Sequence, residues 1–277
     1  MGTDGDRAKD KKIKPGKKKQ RPLRHGVVTA KETVSPNLVR LTVRCPELAN
    51  GEIEIPEVSD SYVKIAMTDA DGDRVLRTYT VRRWLPETAE LQLDFVIHGD
   101  QGLAGPWARE VEVGAELEFH GPGGTWHPDT GSDRIAHLLV GDLAALPAIE
   151  VALERIPDGH RGLVVLAVDH AEDVRELETT LPVEWIVEDS LLAAQRRAFE
   201  VVTTWGQPEG TELEVFVHGE AAFVREVRRH VRVDRGVPKH RQSVSGYWKA
   251  GSDDRQWREQ KRAWAEPIDA AEAAAAG

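Results

Sequence analysis

The sequence predicts two domains, an antiparallel β-barrel followed by a doubly wound parallel α/β sheet, with a helix at the C-terminal end. Two observations support this fold class. From Leu23 to Thr125, short alternating or apolar runs are separated by turn residues, which is typical of antiparallel β structure. After Gly131, apolar strand-like runs alternate with stretches of helical spacing, which is typical of a parallel sheet covered by helices.

The first domain is expected to contain six short strands. Because no long helix separates them, a small barrel is favoured over an open sheet. The Asp- and Gly-rich stretch from Thr68 to Asp73 has the composition of a hairpin loop. The expected strands are Arg24–Glu32, Leu38–Arg44, Tyr62–Met67, Arg77–Trp84, Glu90–Val96 and Glu116–Gly121.

The second domain is expected to alternate strands and helices. Its expected strands are His137–Asp142, Gly162–Val168, Val183–Val187 and Glu212–Val217, and its expected helices are Leu143–Ile156, Leu191–Trp205 and Ala221–Val231. The Gly- and Pro-containing stretch from Gly124 to Ser132 predicts the boundary between the domains. Four segments follow: a basic arm (1–22), a barrel (23–128), an α/β domain (129–251) and a C-terminal helix and tail (252–277), in which Trp257 and Trp264 share one helix face.

Charge is distributed unevenly along the chain. Residues 1–24 contain ten Lys or Arg and three Asp, so a net charge of −10 leaves −17 on the remainder. The lysine-rich arm has too few apolar residues to order itself. It could contact nucleic acid or anionic lipid, or it could be a simple solvated tail. The acidic body argues against a nucleic-acid enzyme, because it would repel phosphates.

Several other classes of protein are disfavoured. No run approaches the roughly 18 apolar residues of a membrane span, and no secretory signal is visible, so we expect a cytoplasmic protein without a membrane span. The single Cys45 excludes an internal disulfide. His120 and His127 lack a third ligand at suitable spacing, so we expect no bound metal site. A monomer is expected.

The stretch Arg77-Thr78-Tyr79-Thr80 can bind a flavin. It offers a cation to a pyrophosphate, a ring to an isoalloxazine and a hydroxyl to its polar edge. The alternative is an ordinary strand with a surface Arg and an interior Tyr.

Two strands of the second domain end in glycine before a helix. These turns are Gly141-Asp142-Leu143-Ala144 and His218-Gly219-Glu220-Ala221. Small residues at such turns allow close approach of a phosphate or ribose, and neighbouring strand ends can share one crevice. Neither turn has the G-x-G-x-x-G pattern, so each alone is equally compatible with an ordinary turn.

Taken in order, the motifs resemble those of the siderophore-interacting proteins, which are FAD-dependent ferric-siderophore reductases of the ferredoxin-reductase-like superfamily. The resemblance covers roughly residues 23 to 251. The motifs that carry it are Arg77–Arg82, Asp94–Gly99, Gly102–Ala108, Gly121–Gly124, Gly141–Ile149, Val217–Glu220 and Gly246-Tyr247-Trp248-Lys249-Ala250-Gly251.

The resemblance implies a set of site residues. FAD would be held by Arg77, Thr78, Tyr79, Thr80, Asp94, Phe95, Val96, His98, Gly102, Ala104, Gly105 and Trp107. NADH or NADPH would arrive at Gly141, Asp142, Pro147, Gly219 and Glu220. Lys64 and Lys249 would face the anionic ferric siderophore, although they could also be ordinary surface cations.

Three positions depart from the family pattern. Gly102-Leu103-Ala104-Gly105 replaces a common G-P-A-S and removes a hydroxyl donor. Gly123 stands where an Arg is common. Leu143-Ala144 replaces the usual Glu-Thr, so the nicotinamide contacts depart further from the family than the flavin contacts do.

The leading hypothesis is therefore a cytoplasmic NAD(P)H-dependent flavin reductase that releases Fe(II) from a ferric siderophore. One alternative is a general electron-transfer reductase acting on a protein partner. Another is a siderophore-binding module with impaired nicotinamide use. Asp169, after the second α/β strand, favours a ribose 2′-hydroxyl and hence NADH.

Overall fold

Six antiparallel strands of the first domain close into a barrel. The computed structural model describes residues 22–97, 102–252, 256, 257 and 260. The barrel contains β1 (Leu23–Ser35), β2 (Leu38–Arg44), α1 (Pro46–Ala49), β3 (Tyr62–Thr68), β4 (Arg74–Leu85), β5 (Glu90–Val96), α2 (Ala104–Glu110) and β6 (Glu116–Gly123). Its order is β1-β2-β5-β4-β3-β6, and β1 also pairs with β6, which closes the barrel.

Alternation along the strands fills the interior of this barrel. Val63 and Ile65 of β3, Leu91 and Leu93 of β5, and Phe119 of β6 are at most 1% exposed and lie in one apolar cluster. Every second residue of these strands therefore faces the core, as the period of a β-strand requires.

The second domain is a parallel sheet covered by helices on both faces. It contains β7 (Ile135–Gly141), α3 (Leu146–Leu153), β8 (Arg161–Val168), β9 (Val183–Val187), α4 (Leu191–Thr204), β10 (Glu212–Glu220), α5 (Ala221–Arg229) and β11 (Gln242–Trp248). The strand order is β11-β10-β7-β8-β9. The chain runs outward from β7 to β9 and returns to β10, so the switch point of the sheet lies between β7 and β10.

Both faces of β7 are buried. Leu138 packs with α4 and α5, whereas Leu139 packs with α3 on the opposite side. α3 also contacts β4 of the barrel, so this helix lies between the two domains. The fold class predicted from the sequence is confirmed: an antiparallel barrel precedes a doubly wound parallel sheet.

Several elements differ from the sequence prediction, most by a few residues at their ends. β11 was not predicted as a strand, because its residues are mainly polar and small and it forms by pairing with β10. α2 is not among the expected helices, because it is short and begins with Ala, Gly and Pro. α3 starts at Leu146 rather than Leu143, because Asp142 and Ala145 first form a turn in which the Ala145 N–H donates to the Asp142 carbonyl (3.0 Å).

The ends of the chain are described only in part. The basic arm lies outside the described residues, as do Trp264 and most of the expected C-terminal helix. Trp257 is helical and 2% exposed, and a Cβ on Gly246 would lie 2.9 Å from its ring. Among the described residues, no helix is both long enough and apolar enough to cross a bilayer.

Ion pairs and hydrogen bonds join the two domains. Arg82 of β4 pairs with Glu150 of α3 at 2.9 Å and with Glu154, directly after that helix, at 2.7 Å, and Arg175 also binds Glu150 at 2.9 Å. We call these four residues the seam network. At a second point, the buried Asp173 accepts hydrogen bonds from the barrel residues Ser35 and Asn37.

Candidate functional site

The residues of the predicted flavin motif lie on two opposite faces of β4. In the β3–β4 register, Arg77 and Tyr79 pair with Ile65 and Val63, so these residues share one face. Thr78 pairs with Lys64 on the opposite face. Thr80 also lies on that opposite face, because successive residues of a strand alternate. The Arg and Tyr of the motif therefore act together, and the threonines face elsewhere.

An aromatic stack supports Tyr79. Its ring lies 4.2 Å from the ring of Phe95, and Phe95 lies 5.6 Å from Trp107 of α2. Phe95 is fully buried, whereas Tyr79 and Trp107 are partly exposed. Phe95 thus holds the orientation of Tyr79, and the rings accessible to a planar ligand are those of Tyr79 and Trp107.

Asp94 has a structural partner. Its carboxylate accepts two hydrogen bonds from Arg40 of β2, at 2.7 and 2.8 Å, and its side chain is fully enclosed. The hydrogen bond that Arg40 donates to Asp94, and secondarily the charge of Asp94, raises the pKa of Arg40 against the opposing effect of burial. The sequence-predicted Asp94 is therefore held in a fixed ion pair with Arg40.

The loop after β5 packs closely on that strand. A Cβ on Gly105 would lie 2.9 Å from the Val96 carbonyl oxygen, so a glycine allows α2 to approach the strand. Ala104 is buried at the start of the same helix, and Gly102 has φ +79° in the turn before it. His98 lies outside the described residues.

Lys64 belongs to a row of polar side chains across three strands. It is exposed, and its register partners are Thr78 on β4 and His120 on β6. Two residues away, Tyr62 and Thr80 occupy the same face. This row therefore continues from Lys64 towards the contact with the second domain.

Thr80 meets the second domain at Tyr247 of β11. Burial, with the charges of Asp60 and Asp142, raises the pKa of Tyr247 well above its usual range, against the opposing effect of the nearby Thr80 hydroxyl. The His218 ring contacts the Tyr247 ring at 4.7 Å and stacks on Phe216 at 3.9 Å. The predicted flavin strand and the end of β10 thus meet at a protonated tyrosine.

Asp142 connects the carboxyl ends of three strands. Its Oδ2 accepts hydrogen bonds from the Glu220 backbone N–H and from Nε1 of Trp248, both at 2.9 Å, and its Oδ1 accepts one from the Ala144 N–H, also at 2.9 Å. Asp142 is 2% exposed. Its role in this arrangement is to hold β7, β10 and β11 together.

The two strand-end glycines are required by this packing. A Cβ on Gly141 would lie 2.5 Å from the Cβ of Ala145, and one on Gly219 would lie 2.6 Å from Oδ2 of Asp142. Gly219 also has φ +134°. Their presence is thus explained by internal contacts, in addition to any approach of a nucleotide.

Glu220 caps α5 and links it to the segment after β11. Its Oε2 accepts from the N–H groups of Ala222 and Phe223 at 2.6 and 3.0 Å, and its Oε1 accepts from the Ala250 N–H at 3.2 Å. Pro147 is buried in the first turn of α3. Lys249, beside Ala250, donates to the Gln260 side chain at 2.8 Å.

A small cavity of about 10 Å³ lies at the carboxyl ends of β7 and β8. The loops that follow these strands provide one wall, and Trp248 provides another. Its lining residues are Asp142, Leu143, Ala144, Ala167, Val168, Asp169, Leu191 and Trp248. In doubly wound sheets, ligands bind in the crevice outside the carboxyl ends of the strands.

The structure thus brings together Asp142, Gly219 and Glu220, and separately Arg77, Tyr79 and Trp107. It keeps Asp94 and Pro147 enclosed by other protein groups. Sequence reasoning gave no role to His120 or Tyr247. For His120 the missing signal is strand register, since its proximity to Lys64 follows only from the pairing of β3 with β6.

The groups on β4 suit a flavin dinucleotide. Arg77 supplies a permanent cation for a pyrophosphate, and Tyr79 supplies a supported, partly exposed ring for a planar heterocycle. Thr78 lies on the opposite face of the strand and is not part of this arrangement. Arg77 and Tyr79 therefore fit the group that the sequence motif suggested.

Family comparisons match both domains. The siderophore-interacting FAD-binding domain matches residues 69–126, and the siderophore-interacting protein domain matches residues 135–251. Ferric vibriobactin reductase ViuB of Vibrio cholerae is 31% identical over 252 residues, which cover 83% of this chain and 91% of ViuB.

Solved structures match over most of the chain. The siderophore-interacting protein SipS from Aeromonas hydrophila has a TM-score of 0.77 at 29% identity, covering 89% of this chain and 99% of SipS. A ferredoxin NADP+ reductase from Neisseria gonorrhoeae has a TM-score of 0.59 at 10% identity, covering 82% and 99% of the two chains, and shows the shared fold alone. The chain is a flavin-dependent oxidoreductase that belongs to the siderophore-interacting protein family.

Proposed function

We propose that this protein is an FAD-dependent ferric-siderophore reductase that takes electrons from NADH or NADPH in the cytoplasm. The observation that carries the proposal is the junction of β4 with the second domain, where the Arg82–Glu150 ion pair (2.9 Å) and the proximity of Thr80 to Tyr247 bring the predicted flavin strand close to the parallel sheet. A dinucleotide crevice is expected at the carboxyl ends of such a sheet. The likeness to a ferric vibriobactin reductase supports the choice of substrate.

The barrel residues hold and orient the flavin in this proposal. A bound flavin accepts two electrons from a nicotinamide and delivers them one at a time. Arg77 binds the pyrophosphate, and Tyr79 and Trp107 contact the ring system. Phe95 contacts both of these rings and fixes their orientation. Gly102, Ala104 and Gly105 allow α2 to close against the end of β5, and His98 belongs to the same segment.

The strand ends of the second domain admit the nicotinamide nucleotide. Asp142 and Glu220 act mainly as positioning residues, because their carboxylates bind backbone amides. Gly141 and Gly219 have no side chain that would block a nucleotide from approaching the backbone at the switch point. Pro147 fixes the start of α3. Tyr247 remains protonated, because burial raises its pKa, and it therefore presents a neutral hydroxyl near Thr80.

The ferric siderophore is proposed to dock on the polar row that contains Lys64. Hard oxygen donors make many ferric siderophores anionic, and the protein carries a net charge of −10. Docking therefore needs local cations. Lys64 supplies one on the barrel, and Lys249 supplies one on the second domain. Electron transfer to the iron requires no protein nucleophile or general base.

An anaerobic reduction experiment tests this function. We expect the purified protein to bind FAD, to be bleached by NADH or NADPH, and then to reduce a ferric siderophore, with Fe(II) detected by a chelating dye. Failure to take up FAD would overturn the proposal. Bleaching without siderophore turnover would favour a reductase acting on a protein partner, and FAD uptake without bleaching would favour a siderophore-binding module.

The docking surface is tested in the same assay. We expect Lys64→Gln to raise the KM for the ferric siderophore by up to about fivefold, since one exposed ionic contact is worth about 1 kcal/mol or less. Flavin reduction by the nicotinamide should not change. Lys239→Gln is the control, because Lys239 is also exposed but lies before β11, at the opposite edge of the sheet. Equal effects of the two variants would contradict the assignment.

A further inference from the structure

The basic arm joins the barrel at one end of the polar row that contains Lys64. The arm ends at Pro22, the first residue that the structure describes, and β1 begins at the next residue, Leu23. Leu23 pairs with His120 of β6, and His120 pairs with Lys64 of β3. Nδ1 of His120 also lies 3.2 Å from the Pro22 carbonyl oxygen. Leu23, His120 and Lys64 therefore form one line across three strands.

This line lies on the outer face of the barrel. Val63 and Ile65, on either side of Lys64, and Phe119, directly before His120, are buried in the barrel core. Successive residues of a strand point to opposite faces, so Lys64 and His120 point outward. Lys64 is exposed. The arm is thus attached beside the surface on which the ferric siderophore is proposed to dock.

Two arginines near this line already have carboxylate partners. Arg74 binds Glu118 at 2.6 Å, and Arg24 binds Glu52 at 3.1 Å. Lys64 makes no hydrogen bond or ion pair within the part of the chain that the structure describes. Lys64 therefore offers its charge to a ligand, whereas the charges of the two arginines are compensated.

The arm carries the positive charge that the body of the protein lacks. Residues 1–22 contain nine Lys or Arg and three Asp, so they carry +6, and a net charge of −10 leaves −16 on the remainder. The seven cations from Lys11 to Arg21 are interrupted by no carboxylate. An anionic ligand that approaches the polar row is therefore repelled by the body and attracted by the arm.

Chain length keeps the last cations of the arm close to the polar row. Neighbouring strands are about 4.8 Å apart, so Leu23 and Lys64, which are two strands apart, are separated by about 10 Å. A fully extended chain spans no more than about 3.5 Å per residue, so residues 17–21 lie within about 18 Å of Pro22. These five residues contain four cations: Lys17, Lys18, Lys19 and Arg21.

We propose that the basic arm is a docking segment for ferric siderophores of net negative charge, which it attracts to the polar row beside Lys64. The proposal rests on the proposed function, because it takes that row as the siderophore surface. It also names a substrate class. Three catecholate dianions around Fe(III) give a triply negative complex, and the arm favours such a complex over an uncharged tris-hydroxamate complex.

Titration with gallium(III) complexes tests this role without electron transfer, because a flavin does not reduce gallium(III). The FAD-loaded protein is titrated calorimetrically with the gallium complexes of a tris-catecholate and of a tris-hydroxamate siderophore. The arm variant combines Lys17→Gln, Lys18→Gln and Lys19→Gln. At about 10 mM salt, where the Debye length is about 30 Å, we expect it to bind the tris-catecholate complex about tenfold more weakly than the unchanged protein.

Salt and ligand charge provide two internal checks. At about 1 M salt, where the Debye length is about 3 Å, the difference between the arm variant and the unchanged protein should vanish. The uncharged tris-hydroxamate complex should bind equally to both proteins at either salt concentration, because it has no net charge for the arm to attract.

Three cations on the other domain provide the matched control, in which Arg196→Gln, Arg225→Gln and Lys239→Gln are combined. These residues are exposed and lie on α4, on α5 and before β11. α4 and α5 cover the face of the sheet opposite α3, and α3 is the helix that contacts the barrel. The control changes the net charge by the same amount, and it should weaken binding of the tris-catecholate complex by less than about threefold.

The outcomes separate this proposal from the proposed function. Equal binding of the tris-catecholate complex by the arm variant and the unchanged protein at low salt would overturn the docking role. An equal loss in the control variant, an equal loss for the uncharged complex, or no binding of either complex at millimolar concentration would also overturn it. If the gallium complexes bound as expected but the reduced flavin reduced neither ferric complex, the docking role would stand and the reductase function would be wrong.

Discussion

At the scale of single residues, the site contains carboxylates with two different duties. Asp94, Asp142 and Glu220 are buried and hold other protein groups, whereas Asp169 is exposed at the cavity. The sequence alone places all four near a predicted strand end. Burial and hydrogen-bond partners distinguish them, because a carboxylate that already accepts several N–H donors has little capacity left for a ligand.

Removing the Asp94 carboxylate should destabilise the fold. We expect Asp94→Ala to lower the free energy of unfolding by about 3 kcal/mol, because it leaves the Arg40 charge largely buried without its partner. Urea denaturation, monitored by tryptophan fluorescence, measures the change. Adding Arg40→Met to Asp94→Ala should restore much of the stability.

An exposed pair provides the comparison for Asp94. Glu118 pairs with Arg74 at 2.6 Å, but both side chains are more than a third exposed. Glu118→Ala should therefore change the unfolding free energy by less than about 1 kcal/mol. If Asp94→Ala weakened FAD binding without loss of stability, a direct contact with the flavin would replace the structural role.

At the scale of elements, the junction of β7, β10 and β11 depends on one side chain. Asp142→Asn keeps the shape but turns one acceptor into a donor, and both of its oxygens now accept N–H groups. We expect a loss of about 2 kcal/mol in the free energy of unfolding, from an unsatisfied buried group. Chemical denaturation checks this value.

A change in the environment of Trp248 should accompany that loss, because Nε1 of Trp248 donates to Asp142. Asp158→Asn makes the same chemical change at an exposed position and should leave both stability and fluorescence unaltered. A stable Asp142→Asn protein with unchanged tryptophan emission would mean that the junction does not depend on this carboxylate.

How far the sequence determines these elements varies along the chain. β2, β5 and β9 have the predicted bounds, because apolar periodicity and flanking turn residues mark both of their ends. β11 could not be predicted, since Gln242, Ser243 and Ser245 carry little strand preference and acquire it by pairing with β10.

The candidate site, like the secondary structure, could be predicted only in part from the sequence. Arg77, Tyr79 and the strand-end glycines follow from local patterns. The opposite orientation of Thr80, its proximity to Tyr247, and the row from Lys64 to His120 depend on pairing between segments distant in the sequence. No local pattern contains that information.

At the scale of the whole molecule, the seam network fixes the domains relative to each other. We expect Glu150→Gln to lower the free energy of unfolding by about 2 kcal/mol, because Arg82 and Arg175 are only 10% and 20% exposed and both lose a charged partner. For a chain of this size, the melting temperature should fall by several degrees, which calorimetry can measure.

The control for the seam network lies on the surface of α4. Glu200 pairs with Arg197 at 2.6 Å, and both side chains are about 60% exposed. Glu200→Gln should therefore change stability by less than about 0.5 kcal/mol. If the two Glu→Gln variants melted at the same temperature, the seam network would not contribute to the stability of the contact between the domains.

The late position of β11 in the sequence has a consequence for biosynthesis. Thr80 leaves the ribosome early, within the barrel, whereas its partner Tyr247 is added more than 160 residues later. The barrel strands can pair while the second domain is still being translated, but the Thr80–Tyr247 contact must wait for almost the entire chain. The face of the flavin strand that contacts the second domain therefore reaches its final surroundings only after β11 has been translated, in the last stage of folding.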